Sequence, residues 1–354
     1  MADWERKIDK TNAGVWRFRP LFLLPDFDGT PLSLGDGPPK YVELPTEDTA
    51  FGSIICQRED LNTHGSHKDR SLSVQVNAYR QEGVKALCIS SSGNAAIAAA
   101  AACREAGIPL FAFMSPNTSP GKIAAVCERD AHVILSERAI GLTREMSSDL
   151  GIPNLRPSVD DRALEGYKAL SFYLAETGRW KDIDSIFCYT TSGSTLCGIW
   201  RGFQWLVESG WEGQPPQLHA AQAGAITGVA ERFGEKPAQS GRSVIGDLGT
   251  KRTRRLGELV RSIRASNGHA WAVSDAEILK AKDWLLDHGL SVCLESACAM
   301  AACFRAGKAQ KVDRPLVLLT GLSTRDEGAQ WPEERVHRIE SKEDFLSQFG
   351  ELLS

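Results

Sequence analysis

Short apolar runs alternate with helical patterns along most of the chain, and this alternation constrains the fold more than any other feature. Strands are predicted at residues 86–90, 110–114, 132–135, 185–189, 217–221, 292–294 and 316–319. Helices are predicted at residues 94–106, 120–129, 162–177, 196–209, 251–266, 275–288 and 297–307. Repetition of strand and helix predicts parallel βαβ units. The continuous apolarity of the strands predicts burial on both sheet faces, so the expected class is α/β, with open parallel sheets and flanking helices.

Length and charge narrow the possible classes of protein. The chain has 354 residues, enough for two domains at about 100–200 residues each. Its composition, 42% hydrophobic and 24% charged residues, is typical of a globular protein and excludes a long disordered chain. A formal net charge of −4 gives no electrostatic basis for a dedicated nucleic-acid-binding protein. The longest apolar run, residues 95–103, is shorter than the about 20 residues that a bilayer span needs, so no membrane helix is expected.

The cysteines indicate a reducing compartment. There are nine, an odd number, and they form no Cys-x-x-Cys pair, so neither a metal site nor a thioredoxin-type motif is predicted. Their positions within apolar segments predict buried, reduced thiols. The N-terminus lacks the apolar core of a secretory signal, which adds to the expectation of a cytoplasmic protein.

Three polar motifs stand where loops lead into helices. Residues 90–94, Ser-Ser-Ser-Gly-Asn, can bind an anion through hydroxyl and backbone N–H groups, or can simply cap a helix. Residues 190–198 contain five hydroxyl residues and two glycines, a composition suited to a phosphate cradle or to a capped turn. They match neither the Gly-Lys-Ser/Thr loop nor the Gly-x-Gly-x-x-Gly fingerprint of nucleotide sites.

The third motif is a lysine-containing segment, residues 65–70, ahead of a predicted helix. Lys68 either begins a solvated helix or acts as a nucleophile towards a carbonyl. His67 is expected to pack or form hydrogen bonds rather than to catalyse. A nucleophilic lysine, an anion loop and a phosphate loop, in this order, favour a phosphorylated aldehyde cofactor, and pyridoxal phosphate is the obvious candidate.

Several segments spaced along the chain resemble the sequence motifs of one enzyme family. Residues 59–70 resemble Glu-x-x-Asn-x-Thr-Gly-Ser-Phe-Lys-Asp-Arg, and residues 91–94 resemble Ser-Thr-Gly-Asn. Residues 192–198 resemble the Thr-Gly-Gly-Thr-x-x-Gly phosphate loop of cysteine synthases, and Thr-Gly follows a strand at residues 320–321. Segments 164–172 and 295–299 are also similar. The chain therefore resembles the fold type II pyridoxal-phosphate-dependent enzymes, and most closely their threonine synthase branch.

The resemblance implies a tryptophan synthase β-like fold, a homodimer, and an amino acid as the small-molecule substrate, with neither a nucleic acid nor a membrane as partner. It implies a large domain of residues 1–79 and 158–354 and a small inserted domain of residues 80–157. Lys68 is the implied catalytic residue and Schiff-base lysine. The implied cofactor-binding residues are Lys68, Asn94, Ser192, Gly193, Ser194, Thr195 and Thr320. The implied substrate-binding residues are Ser91, Ser92, Ser158, Arg162 and Glu295.

The chain departs from threonine synthases just before its Leu-Glu-Gly segment. There the family has Asn-Pro-x-Arg, whose arginine binds the substrate phosphate. Here Ala163 stands at the arginine position, Arg162 is one place early, and Asp160 and Asp161 replace Asn-Pro. Carboxylates repel a phosphate dianion, which disfavours O-phosphohomoserine as the substrate. The two aspartates either bind a cationic group or form a solvated pair in a loop.

The predicted reaction is elimination or replacement at the side chain of an amino acid whose side-chain oxygen bears a phosphoryl or acyl group, which makes the protein a lyase or synthase. The neutral hydroxyl of Thr320 at the cofactor's ring nitrogen suits this chemistry. A cysteine synthase-like enzyme, a catalytically modest homologue and a non-enzymatic regulator are the alternatives. The basic run at residues 251–255 is either a solvated helix start, an anion or effector site, or a nucleic-acid contact. Cys197 and Cys298 lie within the implied active-site segments.

Overall fold

The chain folds into two compact units. The computed structural model describes residues 3–25, 29–46, 51–225, 227–246, 253–323 and 329–353. Unit 1 comprises Met1–Phe22, Gly37–His67 and Tyr167–Ser323. Unit 2 comprises Leu23–Asp36, Lys68–Gly166 and Thr324–Ser354. The domain limits that the sequence suggested remain predictions.

Strands and helices alternate through both units. The strands are β1 (Tyr41–Pro45), β2 (Ser53–Arg58), β3 (Leu87–Ser90), β4 (Leu110–Met114), β5 (His132–Leu135), β6 (Ser185–Tyr189), β7 (Gln217–Ala223), β8 (Ala270–Val273), β9 (Pro315–Leu319) and β10 (Val336–Arg338). The helices are α1 (Asp3–Arg6), α2 (Lys68–Gln81), α3 (Asn94–Ala106), α4 (Pro120–Cys127), α5 (Ala139–Leu150), α6 (Arg162–Glu176), α7 (Ser194–Glu208), α8 (Leu256–Ala265), α9 (Asp275–Asp287), α10 (Leu294–Lys308) and α11 (Lys342–Leu353).

Unit 1 is built on a six-stranded sheet in the order β1-β2-β9-β6-β7-β8. Its strand pairs are parallel except for β1 and β2, which are antiparallel. Helix α10 packs against β6, β7 and β9, and its Met300 joins Phe187 and Val317 in one buried cluster. Parallel strands end at the same edge of a sheet, so the loops after β6 and β9 begin at a common edge.

Unit 2 is built on a parallel four-stranded sheet in the order β10-β5-β4-β3. The alanine-rich α3 packs on one face of this sheet, and Phe345 and Phe349 of α11 contact Phe111 of β4 on the other. Every residue of β3 and β4 is buried, as expected for strands covered on both faces. The predicted α/β class, with open parallel sheets and flanking helices, is confirmed.

Two local predictions were wrong. The strand predicted at residues 292–294 is a single antiparallel bridge between Val292 and Leu322, and Leu294 already begins α10. The helix predicted to begin at residue 251 begins at Leu256, and residues 251 and 252 lie outside the described residues. Strands β1, β2, β8 and β10 and helices α1, α5 and α11 were not predicted.

The structure agrees with the prediction that the cysteines are buried, reduced thiols. All nine are buried, and none forms a disulfide. Burial raises the pKa of the Cys197 thiol to about 12 and that of Cys298 well above its usual range. Both are therefore neutral thiols at physiological pH, which favours packing over nucleophilic chemistry. Within the described ranges, no helix is both long enough and apolar enough to cross a membrane.

Candidate active site

The loop from β6 to α7 in unit 1 is a tight turn with a geometry suited to an anion. Gly193 has φ +84°, a left-handed conformation, and an added Cβ would lie 2.8 Å from Leu259 Cδ2. Glycine tolerates this conformation without the steric cost that a side chain brings. The turn leads into α7, a helix of fifteen residues. The free N–H groups and positive dipole end of such a helix favour a phosphate dianion.

Hydroxyl groups line this loop, and a distant segment supports it. Ser192 Oγ lies 3.0 Å from Ser194 Oγ, and both Ser194 and Thr195 are buried. Thr253 Oγ1, from the segment before α8, donates to the Ser192 carbonyl at 2.7 Å. With Leu259 packed against Gly193, the α8 region fixes the loop by both a hydrogen bond and an apolar contact.

Part of the basic run at residues 251–255 lies next to this loop. Arg255 is buried and pairs with Glu258 at 3.5 Å, and Glu258 also pairs with Arg201 of α7 at 2.6 Å. Arg255, Arg201 and Arg261 all act to lower the pKa of Cys197, in the second turn of α7, although burial outweighs them. The prediction that the basic run is a solvated helix start is wrong for Arg255, because this residue is buried.

His67 joins two of the predicted cofactor residues. Its backbone N–H and its ring Nδ1 both donate to the Thr320 carbonyl, at 3.1 and 2.9 Å. Because Nδ1 donates to a carbonyl, a neutral ring accepts from Thr195 Oγ1 through Nε2, which lies 3.1 Å away. The ring also packs against Tyr167 at 5.6 Å between centroids. The prediction that His67 forms hydrogen bonds is confirmed, and these contacts fix the chain just before Lys68.

The hydroxyl of Thr320 has two uncharged neighbours, Ser296 and Cys293, and the Glu295 carboxylate acts on Cys293. Ser296 Oγ accepts from the Thr320 backbone N–H at 2.8 Å and lies 3.4 Å from Thr320 Oγ1. Cys293 Sγ lies 3.8 Å from the same hydroxyl, and burial raises the pKa of Cys293 to about 12. Glu295, in the first turn of α10, is partly exposed. Thr320 therefore presents a neutral hydrogen-bonding group.

Unit 2 contains a second polar loop, residues 91–94, between β3 and α3. All four of its residues are partly exposed, and Gly93 N–H donates to Ser91 Oγ at 3.3 Å. Asn94 is the first residue of α3. The preceding Ser90 Oγ is buried and lacks a hydrogen-bond partner among the described residues. Open N–H and hydroxyl groups at a helix start can bind a carboxylate.

Arg162, one of the implied substrate-binding residues, is held inside unit 2. Its guanidinium lies 4.3 Å from the Tyr79 ring centroid, donates to the Tyr79 hydroxyl at 2.9 Å and pairs with Glu82 at 2.6 Å. Asp160 Oδ1 lies 3.6 Å from the same guanidinium. Two carboxylates thus offset its charge.

The two aspartates before Arg162 differ. Asp160 is buried and accepts from Gln75 Nε2 at 2.8 Å, so the predicted solvated pair is wrong for this residue, whereas Asp161 is exposed. Ser158 is partly exposed.

The predicted residues divide between the units. Ser192, Gly193, Ser194, Thr195, Thr320 and Glu295 belong to unit 1, and Lys68, Asn94, Ser91, Ser92, Ser158 and Arg162 to unit 2. Sequence reasoning missed Ser296, Cys293 and Thr253. Ser296 had a signal, since it is the hydroxyl residue within the 295–299 motif. For Thr253 the only signal was its place in the basic run at residues 251–255, which favoured other interpretations.

The cradle and the neutral hydroxyl fit pyridoxal phosphate. Gly193 with the hydroxyls of α7 suits the phosphate, and Thr320 suits an unprotonated ring nitrogen. A model of the family described as "Pyridoxal-phosphate dependent enzyme" matches residues 32–321. The chain belongs to this family. Pyridoxal phosphate is its cofactor.

The chain is similar at low sequence identity to several known proteins. A threonine synthase of Methanocaldococcus jannaschii is 24% identical over 342 residues, which cover 92% of this chain and 84% of that protein. Maize serine racemase has a similar structure, with a TM-score of 0.64 and 17% identity, covering 84% of this chain and 87% of that one. A serine racemase of Dictyostelium discoideum gives a TM-score of 0.64 at 16% identity, covering 77% of this chain and 88% of that one. At such identities the structural likeness establishes the fold alone.

Proposed function

We propose that the protein catalyses elimination or replacement at the side chain of an amino acid whose side-chain oxygen bears a phosphoryl or acyl group. The supporting observation is that Thr320 is itself a neutral group, whose Oγ1 lies 3.4 Å from Ser296 Oγ and 3.8 Å from Cys293 Sγ. Bound pyridoxal phosphate supplies an electron sink for a carbanion at the substrate Cα. A hydroxyl at the ring nitrogen does not stabilise a proton there as a carboxylate does, which favours prompt loss of a leaving group over a long-lived carbanion.

Lys68 has two roles in this proposal. Its Nζ would hold the cofactor, and the same amine, when it is not bonded to the cofactor, would accept the proton from the substrate Cα as the general base. His67, fixed by Thr320 and Thr195, positions the chain immediately before Lys68. The Ser192–Thr195 loop holds the phosphate, and Asn94 contacts the cofactor's phenolic oxygen.

The substrate is held by its carboxylate. Ser91, Ser92 and the N–H groups at the start of α3 donate to it, since this loop is open and partly exposed. Ser158, Arg162 and Glu295 are proposed to contact the remainder of the substrate.

A second candidate is cysteine synthase-like replacement on an O-acyl serine or homoserine. The observation that favours it is the pairing of Arg162 with Glu82 and its contact with Asp160. An arginine already paired with carboxylates is a weaker ligand for a phosphate dianion, and an acyl group needs no such cation. The threonine synthase relatives support the phosphorylated substrate, so the two candidates differ in the leaving group.

A substrate panel tests the proposal. O-phosphohomoserine, O-phosphoserine, O-acetylhomoserine and O-acetylserine are each incubated with the holoenzyme, and released phosphate or acetate is measured. We expect turnover of at least one substrate, with Lys68→Ala lacking both this activity and the visible absorption of the bound cofactor. Racemisation of serine without release of a leaving group from any substrate would contradict the proposed reaction.

Homodimeric assembly and a cytoplasmic location are part of the proposal through the family resemblance. Light scattering after size-exclusion chromatography should give about twice the chain mass of 38.6 kDa. A monomer at micromolar concentration would contradict the assembly.

A further inference from the structure

A cavity of about 640 Å³ lies in unit 1 at the sheet edge opposite Thr320. It is lined by the end of β1, by α9 and by the second half of α10. Pro45, at the end of β1, pairs with Ser53, the first residue of β2, and β2 runs parallel to β9. The cavity therefore adjoins the edge where the parallel strands begin, whereas Thr320 follows the carboxyl end of β9.

One wall of the cavity is aromatic and rigid. Trp284 of α9 meets Phe304 of α10 edge to face, with centroids 5.2 Å apart and planes at 87°. His288 packs on Trp284 at 4.1 Å, and its Nδ1 lies 2.8 Å from the Trp284 carbonyl oxygen. All three side chains are partly exposed. Partly exposed aromatic faces in a concave site are suited to stacking with a planar ring.

The charged groups at the cavity are not balanced. Glu277 accepts from the Ser274 backbone N–H and hydroxyl, and it lies 3.8 Å from Arg305. Arg305 also donates to the Ala272 carbonyl and pairs with Glu235. By contrast, the exposed Lys280 and Lys308 form no ion pair with any described residue. Two cations without a carboxylate partner in the described part of the chain thus adjoin the aromatic wall.

We propose that this cavity binds a small planar ring that bears an acidic group, either a phosphate or a carboxylate. The ring stacks against Trp284, and the acidic group accepts hydrogen bonds from Lys280 and Lys308. The volume lies within the about 300–1,000 Å³ that is usual for small-molecule sites. Because neither lysine gives up an ion pair to a described residue when it binds an anion, the charge-assisted bonds are a net gain.

The cavity and the candidate cofactor residues share helix α10. Ser296 in its first turn accepts from Thr320 N–H, whereas Phe304 and Lys308 line the cavity. From Ser296 to Phe304 the helix rises roughly 12 Å at about 1.5 Å per residue. The ligand site is therefore separate from the cofactor, and its existence does not depend on the proposed reaction.

Calorimetric titration of the holoenzyme tests the proposal with two probes, phenyl phosphate and indole-3-acetate. Tryptamine has a planar ring with the opposite charge, and acetate has the charge without a ring. We expect one or both aromatic anions to bind, with neither control binding measurably. Binding of one probe alone identifies the acidic group, and binding of neither overturns the proposal.

Lysine variants locate the bound probe. The double variant Lys280→Gln and Lys308→Gln should weaken binding about tenfold, as expected for two lost charge-assisted contacts. Lys282→Gln, on the same helix but outside the cavity lining, is the matched control and should bind normally. Equal losses in both proteins would overturn the proposal, as would unchanged binding in the double variant. Thermal melting followed by circular dichroism establishes that each variant is folded.

Discussion

The two serine- and glycine-containing loops of this protein look alike in sequence and differ in how they are fixed. Each follows a buried parallel strand and leads into a helix. In residues 192–195, Gly193 is left-handed and packed on Leu259, Thr253 holds the Ser192 carbonyl, and His67 lies within hydrogen-bonding distance of Thr195. In residues 91–94, a long bond within the loop joins Gly93 N–H to Ser91 Oγ.

The difference teaches how binding roles can be divided between similar loops. A loop fixed by three contacts from two distant segments is preorganised, which suits a resident group such as a cofactor phosphate. A loop that is partly exposed and held locally suits a substrate that enters and leaves at every turnover. The comparison therefore supports the proposed division, with tight cofactor binding at residues 192–195 and substrate contact at Ser91 and Ser92, and variants in and behind each loop test it.

The largest effect is expected from a methyl group at Gly193. Gly193→Ala places alanine at φ +84° and its Cβ 2.8 Å from Leu259 Cδ2, a combined cost of about 3 kcal/mol or a hundredfold in cofactor affinity. Fluorescence titration of the apoenzyme with pyridoxal phosphate measures the change. Gly93→Ala is the matched control, because Gly93 has φ −126° and an added Cβ has open space. Equal losses in the two variants would break the comparison.

Acid should destabilise the sheet that leads into the phosphate loop. His219 of β7 is buried, Trp271 Nε1 donates to its Nδ1 at 3.1 Å, and burial lowers its pKa to about 3. The unfolded chain, with a histidine pKa near 6.5, binds the proton first. The contribution of His219 to the free energy of unfolding is therefore fully present above about pH 6.5. It is lost as the pH falls towards 3, at about 1.4 kcal/mol per pH unit.

Urea unfolding between pH 6 and 4.5 measures this loss. His219→Gln keeps a hydrogen-bonding side chain that does not titrate, so its free energy of unfolding should fall by about 2 kcal/mol less than that of the wild type over this range. Parallel pH dependences in the two proteins would show that His219 does not titrate as the structure implies.

A smaller effect is expected from the support behind Ser192. Thr253→Val removes the donor to the Ser192 carbonyl, which lies 2.7 Å away. One such bond is worth about 1 kcal/mol, so the dissociation constant for pyridoxal phosphate should rise about fivefold. Thr253→Ser keeps the hydroxyl and should bind the cofactor within about twofold of the wild type. If valine and serine behave alike, the α8 segment does not hold the loop.

The smallest effect is expected from the open loop. Ser91→Ala removes the acceptor for Gly93 N–H, at 3.3 Å, and a proposed donor to the substrate carboxylate. We expect KM for the substrate to rise a few-fold while cofactor affinity stays unchanged. The measurement pairs steady-state kinetics with cofactor titration. A loss of cofactor affinity with unchanged KM would reverse the roles of the two loops.

Strands were predictable where a continuous apolar run ended at a polar loop. The predictions at residues 110–114 and 185–189 coincide with β4 and β6, because such runs are buried on both faces. Residues 292–294 contain the same residue types, but helix α10 extends back to Leu294 and only Val292 forms a bridge. The competition between a short strand and a neighbouring helix is decided by tertiary packing, which local sequence does not contain.

The site was predictable as far as local motifs reach. Residues 192–195 and Thr320 lie at strand ends, where parallel sheets place ligand contacts. The residues that support the loop come from distant parts of the sequence. Thr253, for example, lies about sixty residues beyond the loop that it holds. Pairing at such separation depends on how helices pack, so the sequence offered no signal for it. The roles of all the candidate site residues, Lys68 and Asn94 included, stay predictions.

The nine buried thiols can also be used to measure opening of the folded chain. A thiol reagent meets little thiolate in the folded chain, since burial raises the pKa of Cys56, Cys88 and Cys293 to about 12. The rate of thiol labelling therefore measures how often the folded chain opens. Cys88, Cys103 and Cys127 belong to unit 2 and the other six to unit 1. Peptide mapping of pulse-labelled protein would thus give a separate opening rate for each unit without a single engineered residue.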